Sequence, residues 1–454
     1  MKRGAHFSEI VPVRSILCVA LVLGGLACTS PNPKSCSLDH HCSDPSLPFC
    51  DEDGSIGGTP GTCIAVGCTA NKFEECRGNK ALTCNARGDD YELVDCPYGC
   101  GATGCLPCNT SDCEKHIIPK YLPAVCDQLT ALPAVTISQD TMLDTSVASM
   151  CSAVVSQPSG PEICVLRGST VTIENAKTLR VVGSRVLALV ADRDFAVHGV
   201  LDISGDYYAP NGPGGGILKS GSGAGLAGGG AGYRTVGGSG GADSGTGGSA
   251  NGGAAGASPA LVVSLLGGLQ PMVSSSGGPP GAAGGAATLI SCRGAVSIDG
   301  IIDAGGGGGA GDYIDGPPLR YYSASGGGSG GTVVLQGMTV SVSGGVFANG
   351  GGGGGGGAAG GPIQQGLRGS DGLRSTSVAP GGPAQSGAAA GGYGGALFPA
   401  ANGERPSGTS CGNGCGAGGG SAGFLLTYSP AGRTPALGTA VVSPGFEQIG
   451  RAHV

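Results

Sequence analysis

Two aspartates hold equivalent places in a repeated phrase, and paired carboxylates are the first residues here that could do chemistry. Asp202 stands three residues before Gly205 in FAVHGVLDISG (Phe195–Gly205), and Asp303 three before Gly306 in VSIDGIIDAGG (Val296–Gly306). Two carboxylates at a defined separation are what glycoside hydrolysis requires, one as acid and one as base or nucleophile. Asp206 and Asp312 add acids, and Tyr207, Tyr208, Tyr313, Tyr321 and Tyr322 supply aromatic faces on which sugar rings could stack. Asp202, Asp303, Asp312, Tyr313, Tyr321 and Tyr322 are therefore the candidate ligand contacts. Against catalysis, all lie in or beside glycine-rich turns, which make poor walls for a preorganised pocket, and aromatics total only 4%. No residue is assigned as catalytic. The simpler role for these aspartates is to cap backbone amides in turns.

Metal and redox chemistry find less support. The third copy of the phrase, VSVSGGVFANG (Val340–Gly350), has Phe347 where the others have aspartate, so no regular ladder of metal ligands is expected. The chain also lacks tandem GGxGxDxUx nonapeptides of calcium-binding β-rolls. His40, His41 and Cys42 could ligate a metal, yet no second cluster completes a tetrahedral set. Cys105-Leu106-Pro107-Cys108 has redox-motif spacing without the βαβ context that lowers a thiol pKa, so a structural role is expected. Neither a metal nor a cofactor is expected.

The elements that must position the aspartates are strands. Aligned on Gly199, Gly300 and Gly344, apolar residues alternate before the glycine as Phe195/Val197, Val296/Ile298 and Val340/Val342. A strand–glycine–strand unit that recurs predicts turns of chain stacked on one another. From Thr170 onward, short runs such as TVTI, TLRVVG and VLALVA are rich in β-branched and aliphatic residues, which signals strands. The expected fold is all-β: a β-solenoid or β-helix-like domain over 170–430 with long glycine-rich insertions, preceded by a small disulfide-rich region. Three insertions each hand over to a strand, at GGAATLIS, GGSGGTVVLQ and GGSAGFLLTY. Either they are free loops, or they form a bundle of extended polyglycine-II-like segments in which no side chain keeps the backbones apart. Val197, Ile298 and Val342 are expected to share one interior.

The N-terminal part is a different object. Of the 20 cysteines, fifteen precede Asp127, whereas most of the 96 glycines follow Gly199. Lys2, Arg3 and Arg14 precede the apolar run Ile16–Leu26, which ends in Leu26-Ala27-Cys28. That run is too short to span a bilayer and suits a signal peptide. Gly24-Gly25-Leu26-Ala27-Cys28 has a lipobox-like end, so Cys28 is the expected lipidation site, with ordinary signal cleavage as the rival. The expected organisation is a signal peptide over 1–28, a tether over 29–35, disulfide-rich modules of EGF-like texture over 36–126, a transition over 127–169, the glycine-laced domain, and a tail over 431–454. Export makes an even set of cysteines read as disulfides. The candidates are Cys36, Cys42, Cys50, Cys63, Cys68, Cys76, Cys84, Cys96, Cys100, Cys105, Cys108, Cys113, Cys126, Cys151, Cys164, Cys292, Cys411 and Cys415, with Cys411 and Cys415 expected to pair locally.

CTANKFEECRGNKALTC (Cys68–Cys84), GSRVLALVADRDFAVHGVLDISG (Gly183–Gly205), LISCRGAVSIDGIIDAGGGGG (Leu289–Gly309) and GGSGGTVVLQG (Gly327–Gly337) together resemble glycine-rich, cysteine-rich surface lipoproteins of the myxobacterial type. The resemblance covers roughly 36–430. It implies an exported, lipid-anchored protein and assigns no catalytic residue. The glycine blocks are similar to those of PE-PGRS surface proteins in composition only.

The net charge of −7 and the absence of any basic run argue against nucleic acid as a partner. The expected partners are the membrane, through an N-terminal lipid, and glycans or other surface proteins. The expected location is the outer membrane or cell surface, with secretion as the alternative. The functional expectation is a cell-envelope protein with a structural or adhesive role, not an enzyme. The competing reading is an extracellular polysaccharide-active enzyme on a β-helix scaffold.

Overall fold

The computed structural model describes residues 132–206, 211–220, 227–241, 264–272, 278–315, 320–357, 365–385, 388–404, 414–430 and 435–448, with parts of 44–127. Cys28, Cys36, Cys42, Cys68, Cys108, Cys113 and Cys411, with His40, His41, Tyr207 and Tyr208, lie outside the described residues. The chain divides into two compact units, Met1–Leu106 and Pro107–Val454. Among the described residues there is no α-helix, and a single 3-10 turn occurs at Ala148–Met150.

The first unit is built of short antiparallel strands. Phe49–Asp51 pairs with Thr62–Ile64, and Phe73–Arg77, Lys80–Cys84 and Tyr91–Asp95 form a three-stranded meander. Disulfides join Cys76 to Cys100 and Cys96 to Cys105, and Cys63 and Cys84 are also disulfide-bonded. Covalent links stand in for a core here: among the described residues of this unit only a handful of apolar side chains, such as Ala81 and Leu82, are buried. Cys105 is committed to Cys96, which fits the structural role expected of it.

The second unit is organised by three predominantly parallel sheets. A seven-stranded sheet has the order Ala153–Val155, Ile163–Gly168, Val186–Ala191, Ala286–Ser291, Thr332–Gln336, Phe424–Tyr428, Glu447–Gln448, and only its first pair is antiparallel. A five-stranded sheet runs Val135–Ile137, Val171–Ile173, Phe195–Val197, Ala295–Ile298, Thr339–Val342. A six-stranded sheet runs Thr141–Asp144, Thr178–Val182, Val200–Asp202, Ile301–Asp303, Gly345–Phe347, Val441–Ser443. From Ile163 to Phe347 the chain visits the seven-, five- and six-stranded sheets in that order four times; after Phe424–Tyr428 it touches the five-stranded sheet only through a bridge of Ala436 to Ser341 before reaching Val441–Ser443.

The repeated phrase fills equivalent places in this order. Val197 is the register partner of Ile298, and Ile298 of Val342; all three belong to one buried apolar cluster with Leu187, Leu201, Leu289 and Ile302. Each such side chain contributes about 1.5–3 kcal/mol by leaving water. The glycine between the half-phrases is explained by close approach. A Cβ on Gly300 would fall on the carbonyl oxygen of Gly199, and one on Gly344 on that of Gly300. Neither residue has positive φ. The seven-stranded sheet is buried on both faces, which accounts for the unbroken apolar run VLALVA. Its outer face carries Ile117, Leu122 and Cys126, and the Cys126–Cys292 disulfide pins that covering segment to the sheet; Cys151–Cys164 ties the sheet's antiparallel edge.

All three glycine blocks leave after a six-stranded-sheet strand (Asp202, Asp303, Phe347) and return at a seven-stranded-sheet strand (Ala286, Thr332, Phe424). In the turn before them Val182 passes to Val186 directly. The blocks are insertions at one corner, and their described parts are ordered by backbone hydrogen bonds.

The run Gly350–Gly356 lies at the centre. Its N–H groups donate with a period of three: Gly350, Gly353 and Gly356 to Gly395, Gly392 and Ala389; Gly351 and Gly354 to Gly328 and Ser325; Gly352 and Gly355 to Ser370 and Leu367 (2.8–3.0 Å). Carbonyls of the same stretch accept from three other segments, at Gly420 and Ala417, at Gly309 and Asp312, and at Gly382 and Gln385. One strand thus bonds to six neighbours, which three residues per turn permits. A β-carbon on Gly353 would strike the Ala417 carbonyl. Only glycine lets backbones approach so closely in every direction.

Candidate functional site

The expected aspartates meet. Asp202 and Asp303 are register partners on adjacent parallel strands of the six-stranded sheet, and the third place in the column is taken by Phe347. Leu201 and Ile302 point into the core, so the alternation of a strand turns both aspartates to the outer face.

Each aspartate caps a backbone amide two residues on: Gly305 N–H donates to Asp303 Oδ1 at 2.9 Å, and Ser204 N–H to Asp202 Oδ1 at 3.1 Å. The turn role is therefore present, but both carboxylates also bind arginine. Arg180, which precedes Asp202 in the column, donates through Nη1 to Asp202 Oδ1 at 2.5 Å. Arg374 donates through Nε to Asp303 Oδ2 at 2.7 Å and through Nη2 to Asp202 Oδ2 at 3.5 Å.

Arg374 arrives on a strap, residues 366–375, from the third glycine block. Gly372 N–H donates to the Gly306 carbonyl, and Gly308 N–H to Asp371 Oδ1, both at 2.8 Å. Asn349, fully buried, donates through Nδ2 to the carbonyls of Leu373 (2.6 Å) and Ser375 (2.8 Å) and accepts from Ser443 Oγ. An open groove lies between strap and sheet, lined by Asp303, Arg368, Asp371, Leu373 and Arg374, and Arg368 bridges to Asp371 at 2.6 Å.

Burial dominates the electrostatics. Asp303 is 4% exposed, and desolvation raises its pKa above the usual carboxylate range despite the opposing Arg374 charge and the Gly305 amide. For Arg374 burial is the largest influence and works against the charged form, but the hydrogen bond to Asp303 and the charges of Asp303 and Asp202 together outweigh it and raise its pKa. The arrangement neutralises charge. The oxygens of Asp303 are bonded to Gly305 and Arg374, and those of Asp202 to Ser204, Arg180 and Arg374, so the two aspartates form an ion-pair network.

The other candidate contacts lie apart from the two aspartates. Asp312 is buried in the glycine bundle, where desolvation raises its pKa against two backbone amides, those of Gly357 and Gly366. Tyr313–Asp315 and Arg320–Tyr322 form an antiparallel hairpin, with Tyr313 opposite Tyr322 and Ile314 opposite Tyr321. Cys415 is disulfide-bonded, while its expected partner Cys411 lies outside the described residues. Among the described residues no group of three or more His, Cys, Asp or Glu side chains could hold a metal.

Sequence reasoning missed Arg180, Asn349, Arg368, Asp371 and Arg374. Arg180 was findable, since Thr178-Leu179-Arg180 aligns with Val200-Leu201-Asp202. Asn349 stands two residues beyond Phe347, the place of Ser204 and Gly305 in the other copies. Arg368, Asp371 and Arg374 sit in a glycine block with no period to place them. The disulfides indicate an oxidising compartment. Among the described residues no helix is long and apolar enough to cross a membrane. No protein-family model matches the chain, and no curated protein or solved structure is significantly similar to it.

Proposed function

We propose that this is an exported cell-envelope protein, lipid-anchored through Cys28, whose second unit is a β-solenoid carrying a polyglycine-II-like bundle and serving a structural or adhesive role at the surface. The observation that carries the reading is the lattice around Gly350–Gly356, in which one strand hydrogen-bonds to six neighbours through backbone alone. Such a lattice is a means of building a stiff body with almost no side chains. The solenoid reading is supported by the order in which the chain visits three sheets, kept over four successive rounds from Ile163 to Phe347, and by the stacking of Val197, Ile298 and Val342. The salt-bridged state of Asp202 and Asp303 weighs against a polysaccharide hydrolase.

The test is made in cells that express the protein. Metabolic labelling with a palmitate analogue should mark the wild type and not Cys28→Ser, and surface biotinylation should reach the protein. Deleting the gene should weaken cell–cell or cell–surface attachment without changing polysaccharide turnover. An unlabelled wild type refutes the anchor, and release of reducing sugar from cell-surface polysaccharide by the pure protein refutes the non-enzymatic role.

A further inference from the structure

The strap 366–375 belongs to two structures at once. Its Leu367 and Ser370 carbonyls accept from Gly355 and Gly352 of the central glycine run, so it is one of the six neighbours of that run. A few residues later it is seated on the six-stranded sheet, through Gly372 to Gly306, Asn349 to Leu373 and Ser375, and Arg374 to Asp303 and Asp202. Among these attachments only the last is an ion pair, and Arg374 bridges two carboxylates held on adjacent strands.

We infer that the strap is a latch: the Arg374 guanidinium, clasped by Asp303 and Asp202, couples the order of the glycine bundle to the parallel sheets. The sheets are held by apolar burial and do not need the strap. The bundle has only small apolar side chains between its strands, such as the cluster of Ala227, Ala324, Cys415 and Ala417, so a strand bound mainly through backbone bonds depends on whatever fixes its ends. When the clasp opens, the strap leaves and its bonds to Gly352 and Gly355 are lost, while the sheets stay formed. This inference concerns the conformation of the bundle and does not depend on the surface role proposed above.

Hydrogen exchange followed by mass spectrometry on the full exported chain tests it, comparing wild type, Arg374→Met and Asp303→Asn, with Arg368→Met as control. Peptides covering 350–357 and 366–375 should exchange at least about tenfold faster in Arg374→Met and about three- to fivefold faster in Asp303→Asn. Peptides covering 186–191 and 286–291 should keep wild-type protection. Asp303→Asn removes the charge without stranding a buried ion, so it reads the clasp even if Arg374→Met fails to fold. Unchanged exchange of the strap in Asp303→Asn, faster exchange spread equally over the sheets, or an equal effect from Arg368→Met would each overturn the latch.

Discussion

Arg374 Nε lies 2.7 Å from Asp303 Oδ2 across 71 residues of sequence, and the two partners are unequally buried: the Arg374 side chain is 42% exposed, that of Asp303 6%. The bond therefore breaks unequally from its two ends.

Removing the arginine strands a buried carboxylate, whereas removing the carboxylate leaves an arginine that can turn to water. Arg374→Met is expected to cost about 2–4 kcal/mol. Asp303→Asn should cost no more than about 1 kcal/mol. Urea denaturation of both variants measures the difference, and equal losses would contradict this account of the site.

The same asymmetry sets a pH dependence. Burial already raises the Asp303 pKa, and losing Arg374 removes the main opposing influence and raises it further. A carboxyl group with a raised folded-state pKa contributes stability that is present below its unfolded value, about 3.9, and is lost as pH rises through the folded value. Relative to wild type, Arg374→Met should thus be destabilised more at pH 7.5 than at pH 4. Thermal melts at both values decide it, and a deficit that grows on acidification would be the wrong sign.

Ile298 sits between Val197 and Val342 in the interior shared by the three sheets. Ile298→Asp buries an unpaired charge at a cost of several kcal/mol, enough to prevent folding of the second unit. Ile298→Val should cost only about 0.5–1.5 kcal/mol. Comparable stability of the aspartate and valine variants would remove Ile298 from the core.

The glycine bundle makes a prediction that a free loop would not. Hydrogen bonds of Gly350–Gly356 recur every third residue. Inserting one glycine between Gly353 and Gly354 rotates the rest of the run off its partners; inserting three restores the phase. One extra residue should lower the melting temperature more than three do. In a free loop the cost would instead be small and rise with length.

Cys126 and Cys292 close a loop of 166 residues, against 13 for Cys151 and Cys164. By loop-closure entropy the longer link is worth about 5 kcal/mol and the shorter about 3. The Cys126→Ala/Cys292→Ala double variant should therefore lose more stability than Cys151→Ala/Cys164→Ala. The reverse order would point to native strain or residual unfolded structure as the controlling factor.

The strands and their stacking were legible in the chain itself. Alternating pairs such as Val296/Ile298 mark an inward face because a strand repeats every two residues, and Gly199, Gly300 and Gly344 mark the corner because a β-carbon there would meet the neighbouring turn. Cysteine number likewise announced a cross-linked first unit and an oxidising compartment. Only the tertiary structure decided what the glycine blocks do. A three-residue backbone period leaves no trace in a run of identical residues, so Gly350–Gly357 reads the same whether it is a loop or the axis of a lattice. It also decided the state of the aspartates: Asp202 and Asp303 were recognisable as equivalent positions, but Arg374 reaches them from an aperiodic segment. Whether a carboxylate is a free acid or half of an ion pair depends on what the fold brings against it, and that is a property of distance in space, not along the chain.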